Sequence, residues 1–226
     1  ERLAEGRVDL FKKELRSVFR WIVWLALPIA VITFFARGYV VAFIKNGGQP
    51  AIASVLGALV ISIFFRTLYH IMARTFYAQQ DTRTPLYISI ATISLNILLA
   101  IVFTQLFGWG VFGLAWAQSI VSVVEIAILL TILHVRTPGI FNRKTLRSII
   151  TMMIASAIMG VVTYFVVQML QLQSRDMNFM AVFPKFTVIV VVSFAVYIAL
   201  SKVFKLEEAD PIVAKLRQLL FGRVRR

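Results

Sequence analysis

Long apolar stretches alternate with short polar ones along the whole chain. About 20 apolar residues are needed for a helix to cross the hydrocarbon core of a bilayer, and windows of this kind occur at 19–36, 51–78, 85–106, 112–134, 147–169 and 182–203. The alternating ten-residue pattern typical of a membrane β-barrel does not occur. The pattern therefore predicts an all-α, polytopic membrane protein with six transmembrane helices.

The two ends of the chain mix apolar and basic positions without a run long enough to cross a bilayer. Such segments are typical of amphipathic helices that lie at a membrane surface, although a plain solvated connector has the same composition. We predict the following organisation: a cytoplasmic amphipathic connector at 1–18, four transmembrane helices within 19–134, a cytoplasmic loop at 135–146, a final helix pair at 147–204 and a basic amphipathic tail at 205–226.

Composition supports the membrane assignment, and the distribution of charge gives its orientation. Apolar residues make up 60% of the chain and charged residues 15%, far from the average of soluble domains. Most of the 24 Lys and Arg residues lie in the two terminal segments and in the junctions after the second and fourth spans. The positive-inside rule places these segments, and both termini, in the cytoplasm. The net charge of +14 thus mainly reflects topology and attraction to anionic lipid headgroups, and we expect no nucleic-acid partner.

The chain lacks the residue patterns of the common catalytic sites. It contains no cysteine, which excludes disulfides and thiolate metal sites. The two histidines, His70 and His134, fall on different spans, and no H-E-x-x-H, G-x-S-x-G or P-loop motif is present. We therefore expect no catalytic residues, no metal site, no cofactor and no enzyme activity.

The junction between the second and third spans, ARTFYAQQDTRTP at Ala73–Pro85, is unusually polar for its surroundings. Pro85 suits the first turn of a helix, with Thr84 as the predicted N-cap. Asp81 is placed to accept backbone N–H bonds in the turn, and Arg83 to reach a lipid phosphate or a neighbouring carboxylate. These residues predict a tight cytoplasmic hairpin.

Basic residues recur on one face of the second span. Ser62, Arg66, His70 and Arg74 are spaced four apart, so they follow one side of a helix with a slow drift. Arg66 is close to mid-membrane, where a charge is costly and usually functional. The stripe suits a hydrated cavity for an anionic headgroup, whereas the alternative is that Arg66 pairs with Glu125 or with helix carbonyls. His70 fits either an interhelical donor or a group in proton coupling.

Polar residues also line one face each of the third and fourth spans: Ser89, Thr92 and Asn96 on the third, and Gln118, Ser122 and Glu125 on the fourth. If the faces meet, they form either interhelical hydrogen bonds or an ion site. Glu125 is the one acidic residue within a predicted span. It is therefore the candidate for protonation-linked switching, with a structural role as the alternative.

The string FYAQQDTRTP, Phe76–Pro85, resembles the FYA-x-x-D-T-x-T-P signature of the MurJ (MviN) lipid II flippase family, within the multidrug/oligosaccharidyl-lipid/polysaccharide exporter superfamily. Three further segments resemble that family in the same order: Ala4–Val31 with its central Pro28, Ser94–Ala100 and Gly110–Ile120. The resemblance covers most of 4–135, and the last two spans match by position.

The resemblance implies a fold of two pseudo-symmetric lobes followed by a final helix pair, with this chain aligned to the last six helices. The N-terminal lobe is then expected in the same full-length chain. The implied function is translocation of undecaprenyl-pyrophosphate-linked peptidoglycan precursor across the bacterial cytoplasmic membrane by alternating access. The implied substrate cavity contains Arg66, His70 and Arg74. The implied cytoplasmic hinge motif consists of Tyr77, Asp81, Thr82, Thr84 and Pro85.

Two further expectations come from the resemblance. Some family members bind sodium between the helices that correspond to the third and fourth spans. Asn96 matches an expected ligand, whereas Ala100 replaces a carboxylate and Gln118 replaces a hydroxyl, so the coupling cation, Na⁺ or H⁺, stays open. The final helix pair is expected to offer a groove for the polyprenyl tail. The alternatives are a related exporter of lipid-linked polysaccharides or drugs, and a non-transporting membrane scaffold that uses its basic termini.

Overall fold

The computed structural model describes residues 8–44, 49–172 and 179–211. Within these ranges the regular elements are α1 (Val8–Phe35), α2 (Arg37–Ile44), α3 (Pro50–Ala78), α4 (Arg83–Ile101), α5 (Gly110–Arg136), α6 (Arg143–Met169) and α7 (Phe179–Val203). A π-helical turn, Val102–Leu106, extends α4. Six of these helices are long and apolar enough to cross a membrane, which confirms the predicted fold class.

Local sequence sets several helix ends. Pro50 occupies the start of α3, where its missing N–H is not needed. Asn142 caps α6 by accepting a hydrogen bond from the Thr145 backbone N–H at 2.8 Å. The short α2 was not predicted. It follows α1 after a single turn residue, Ala36, and Tyr39 anchors it by donating to the Leu170 carbonyl oxygen at the end of α6.

The helices form two connected groups. α3 packs against α1 and α5, and α4 lies on the outer side of α5. On the opposite side, α6 packs against both α1 and α7. The buried centre of this second group includes Trp24, whose indole Nε1 donates to the Ser201 hydroxyl at 3.1 Å. α1 and α3 therefore form the middle of the molecule, and they bear the grooves described below.

The segment after α7 folds back onto α1 and α6. Leu206 and Ala209 are buried, and Glu208 forms an ion pair with Arg20. Glu207 contacts Arg20 at 3.2 Å and Lys144 at 2.7 Å, and the hydrogen bond from Lys144 holds the pKa of the Glu207 carboxyl below its ordinary value. Residues 212–226 of the predicted tail, and 1–7 of the predicted connector, lie outside the described residues.

The π-helical turn brings α4 very close to α5. The Trp109 N–H donates to the Phe103 carbonyl oxygen at 3.0 Å, so the chain reverses sharply before α5. Gly113 faces Phe103 so closely that an added Cβ would lie 2.9 Å from the Phe103 Cβ and 3.1 Å from its carbonyl carbon and oxygen. The contact between the two helices at this end therefore depends on a residue without a side chain.

Candidate functional site

A groove of about 530 Å³ runs between α1 and α3. Its walls are mostly apolar: Ile22, Leu25, Ala26, Ile29, Ala30, Val60, Ile63, Phe64 and Ile71. His70 and Arg74 add polar groups toward the C-terminal end of α3, which leads into the hinge motif. The groove thus combines a long apolar surface with a basic end, an arrangement that suits an amphiphile with an anionic headgroup.

Arg66 points away from this groove toward α5. We assign the amide oxygen of Gln118 to the side that faces Arg66. With the opposite assignment, the Gln118 NH₂ group would face the N–H donors of Arg66, and neither group could accept a hydrogen bond. The Gln118 oxygen then accepts from Arg66 Nε at 3.0 Å and from Nη2 at 2.6 Å. The Gln118 amide nitrogen then lies 3.2 Å from the Asn96 Nδ2 position on α4, and because both would be donors, we also assign the Asn96 amide with its oxygen toward Gln118, where it accepts the hydrogen bond. Arg66, Gln118 and Asn96 therefore form one chain across three helices, which we call the amide seam.

Glu125 has different neighbours. Its Oε1 accepts from the Ser89 hydroxyl at 3.3 Å and the Thr92 hydroxyl at 3.2 Å, and Ser89 also lies 2.8 Å from the Tyr69 hydroxyl of α3. This arrangement differs from the predicted alternative in which Arg66 pairs with Glu125. The carboxylate is buried and joins α3, α4 and α5 through hydroxyl groups.

The remaining predicted polar residues act between α3 and α5. The Ser62 and Ser122 hydroxyls lie 3.0 Å apart, and both residues are buried. Ser62 is therefore held against α5, whereas His70 and Arg74 of the same stripe lie in the groove with α1. The slow rotation of a four-residue spacing around a helix accounts for this division of the basic stripe.

In the hinge motif, Asp81 collects most of the hydrogen bonds. Its carboxylate accepts from the backbone N–H groups of Arg83 at 3.1 Å and Thr84 at 3.0 Å, and from the Thr84 hydroxyl at 2.6 Å. The prediction of Thr84 as N-cap was wrong, because α4 begins at Arg83 and Asp81 already bonds its first N–H groups. Pro85 is buried within the first turn, while Tyr77 and Thr82 are exposed.

The cation that pairs with Asp81 is Arg136, at the end of α5, and the alternative that Arg83 reaches a lipid phosphate stays a prediction. Arg136 Nη1 forms an ion pair with Asp81, and Nη2 donates to the Thr84 hydroxyl at 2.9 Å. Together with the Thr84 bonds, this guanidinium holds the pKa of the Asp81 carboxyl well below its ordinary value. The sequence alone places Arg136 only among the basic residues on the cytoplasmic side, because its partner Asp81 is 55 residues away.

A second groove, of about 360 Å³, lies where α6 meets α1 and α3. It is almost wholly apolar, and α6 contributes Met153, Ser156 and Ala157. Gly160 lets α6 approach α1, since an added Cβ would meet Val31 and Phe35 at 3.1 Å. Of the final pair, α6 but not α7 contributes to this groove, so the groove for the polyprenyl tail that the resemblance implies for the final pair stays a prediction.

This chain is similar to known proteins over most of its length. The family model described as lipid II flippase MurJ matches residues 1–183. The chain is 28% identical over 219 residues to a probable lipid II flippase MurJ of Thermotoga maritima, and 27% identical over 135 residues to one of Vibrio cholerae. These matches cover 94% and 60% of this chain, but only 42% and 24% of the relatives.

A solved structure described as lipid II flippase MurJ in an inward closed conformation has a similar fold. The two superpose with a TM-score of 0.71 at 20% sequence identity, over 90% of this chain and 41% of the other. This likeness concerns the fold alone. The chain therefore spans less than half the length of the relatives that it matches.

Proposed function

We propose, from the premise that this chain belongs to the MurJ lipid II flippase family, that it is part of a flippase for an undecaprenyl-pyrophosphate-linked peptidoglycan precursor. The chain is an integral membrane protein, and its family consists of transporters that are named for lipid II. We place it in the bacterial cytoplasmic membrane with both termini in the cytoplasm, on the basis of its charge distribution. The remaining lobe is expected in the same natural polypeptide.

The observation that carries this proposal is the groove between α1 and α3. A lipid-linked precursor has a long apolar tail and a pyrophosphate headgroup, so its binding site needs an apolar surface next to cationic donors. The groove supplies both, since its apolar walls end at His70 and Arg74. Arginine and protonated histidine donate charge-assisted hydrogen bonds to phosphate oxygens. The almost wholly apolar groove beside α6 offers a second surface for the tail.

Alternating access requires helices that move as bodies and turns that hold them together. In this chain the amide seam and Glu125 connect α3, α4 and α5 through side-chain hydrogen bonds, and Arg136 fixes the turn between α3 and α4. We propose that these three helices move as one unit while the headgroup passes from His70 and Arg74 along α3, the helix that also carries Arg66. The tail stays in the bilayer during this movement.

The test is headgroup translocation by the natural gene product in proteoliposomes, measured as the access of an impermeant reagent to the headgroup. We expect Arg74→Ala and Arg66→Ala to impair translocation at unchanged protein levels. Arg147→Ala is the matched control, because Arg147 is an exposed arginine near the start of α6 and lies outside both grooves.

Wild-type activity in both groove and seam variants would remove the cationic residues from the mechanism. It would favour the alternative that this chain is a scaffold without transport, which should tolerate neutral residues at these positions. Loss of activity in Arg147→Ala as well would indicate a general requirement for basic charge rather than a specific site.

A further inference from the structure

The amide seam is where the family resemblance predicts a coupling cation, and its residues do not fit one. Hard cations such as Ca²⁺ and Mg²⁺ are held by about six or more oxygen atoms, which come from carboxylates, amide and backbone carbonyls and water, and Na⁺ shares the preference for oxygen. At the seam, the Gln118 oxygen is already engaged by two N–H groups of Arg66. Ala100, one turn beyond Asn96, has no oxygen in its side chain.

The Glu125 carboxylate on the same helix as Gln118 has hydrogen-bond partners of its own. Glu125 lies two turns along α5 from Gln118 and accepts from Ser89 and Thr92. In the part of the chain that the structure describes, no group of three or more His, Cys, Asp or Glu residues is placed to hold a metal ion. The seam therefore lacks the negative charge that would compensate for a metal ion in the low-dielectric interior of a membrane protein.

Arg66 already supplies a positive charge to this seam. A guanidinium stays charged in proteins and presents its donors in a planar fork, and two of them meet the Gln118 oxygen at 3.0 and 2.6 Å. A second cation at the same oxygen would be repelled, and this repulsion is stronger away from bulk water. The guanidinium and a metal ion would thus compete for one acceptor.

We propose that Arg66 is the resident cation of the amide seam, in place of a sodium or other metal ion, and that Gln118 is the residue that positions it. Gln118 holds the Nε and Nη2 edge of the guanidinium, and the remaining N–H groups lie on an exposed residue. These N–H groups can donate to an anionic group, while the charge stays attached to α3. If the protein uses a coupling ion, that ion then binds at a site other than the amide seam.

This inference goes beyond the proposed function, and its test needs no transport. The first measurement is binding of ²²Na⁺ to the purified natural gene product, together with its thermal midpoint in NaCl, KCl and choline chloride at equal ionic strength. We expect no ²²Na⁺ bound at the seam, so the amount of ²²Na⁺ bound and the differences of midpoint among the three salts should be the same in the wild type and in Gln118→Leu. Sodium binding that is present in the wild type and lost in Gln118→Leu would overturn the proposal.

The second measurement tests the contact itself by a double-mutant cycle. Gln118→Leu should lower the thermal midpoint in the wild-type background, because it leaves the guanidinium without its acceptor. It should have a much smaller effect in the Arg66→Met background. Gln168→Leu on α6 is the matched control and should have the same effect in both backgrounds. Equal effects of Gln118→Leu in both backgrounds would refute the contact.

Two further results complete the test. Arg66→Lys keeps the charge but loses the two-point contact with Gln118. The thermal midpoint of this variant should therefore fall as it does in Gln118→Leu. This result tests the contact even if Arg66→Met does not fold. A sodium effect that is retained in Gln118→Leu lies elsewhere in the protein and leaves the assignment of the seam standing. Failure of the transport test with a positive double-mutant cycle would reject the proposed function alone.

Discussion

Replacement of Gly113 by alanine should destabilise the protein even though alanine is the better helix former. An added Cβ would lie 2.9 Å from the Phe103 Cβ and 3.1 Å from the carbonyl carbon and oxygen of the same residue. None of these atoms can turn away by a side-chain rotation, because two belong to the backbone and one is attached to it. The π-helical turn would therefore have to move away from α5.

Two opposing effects determine how much Gly113→Ala changes the free energy of unfolding. Alanine in a helix interior is favoured over glycine by about 1 kcal/mol, whereas extra atoms in a packed interface cost about 1–3 kcal/mol. We therefore expect a net destabilisation of up to about 2 kcal/mol. The helix-propensity effect is partly offset when Gly113→Ala is compared with Gly38→Ala, near the start of α2, where the nearest atom to the new Cβ is Leu172 Cδ1 at an ordinary 3.6 Å.

The assay is unfolding of the natural gene product in mixed micelles, with the two variants measured side by side. Gly57→Ala is a second control, since its new Cβ would meet only the Arg37 side chain, whose terminal nitrogen lies at 2.8 Å. That flexible side chain can move, so this variant should behave like Gly38→Ala. If Gly113→Ala and Gly38→Ala change the stability by the same amount, the close contact with the Phe103 backbone does not restrict the side chain at residue 113, and the argument is refuted.

Three other predictions concern stability. Asp81→Ala should reduce the amount of folded protein in membranes, because it removes the acceptor shared by the first turn of α4 and Arg136; transport that falls at unchanged protein level would instead identify the turn as a moving gate. The folded-state pKa of Asp81 is below its ordinary value of 3.8, so its stabilising contribution is complete above that value and is lost as the pH falls toward the folded pKa. The thermal midpoint of the wild type should therefore approach that of Asp81→Ala as the pH falls from about 4 toward about 2, and a constant gap between them would contradict this. Ser201→Ala should cost about 1–3 kcal/mol, because it leaves the buried Trp24 indole N–H unpaired; Ser94→Ala, at an exposed residue whose hydroxyl bonds its own helix, is the control in the same unfolding assay.

The six spans were predictable because their signal is local. Each is a run of apolar residues long enough to cross a membrane, and the helices found agree with the windows. The short α2 was missed, since its eight residues are too few for a span and its anchor on Leu170 is far away in sequence. The π-helical turn was likewise merged into the third span, because hydropathy does not distinguish helix types.

The candidate site was predictable only as sets of residues on helix faces. The spacing of four placed Arg66 on a polar face of α3, and the similar spacing on α5 placed Gln118. Which of them meet depends on how the helices are rotated against each other, and this decides that Arg66 contacts Gln118 and not Glu125. The pairing of Asp81 with Arg136 also depends on helix packing, because Asp81 directly precedes α4 and Arg136 ends α5, and these two helices pack against each other. The proposed roles of these residues in transport remain predictions.

α5 is held at both of its ends by contacts that tolerate little change. Near its start, Gly113 fits against Phe103 of the π-helical turn, and at its last residue Arg136 reaches Asp81 and Thr84. A helix turns by about 100° and rises about 1.5 Å for each residue. One residue inserted between these two points would therefore rotate Arg136 away from the turn or drive a side chain into Phe103. The length of α5 is thus matched to that of α4, so the chain between these contacts should accept substitutions far more readily than insertions or deletions.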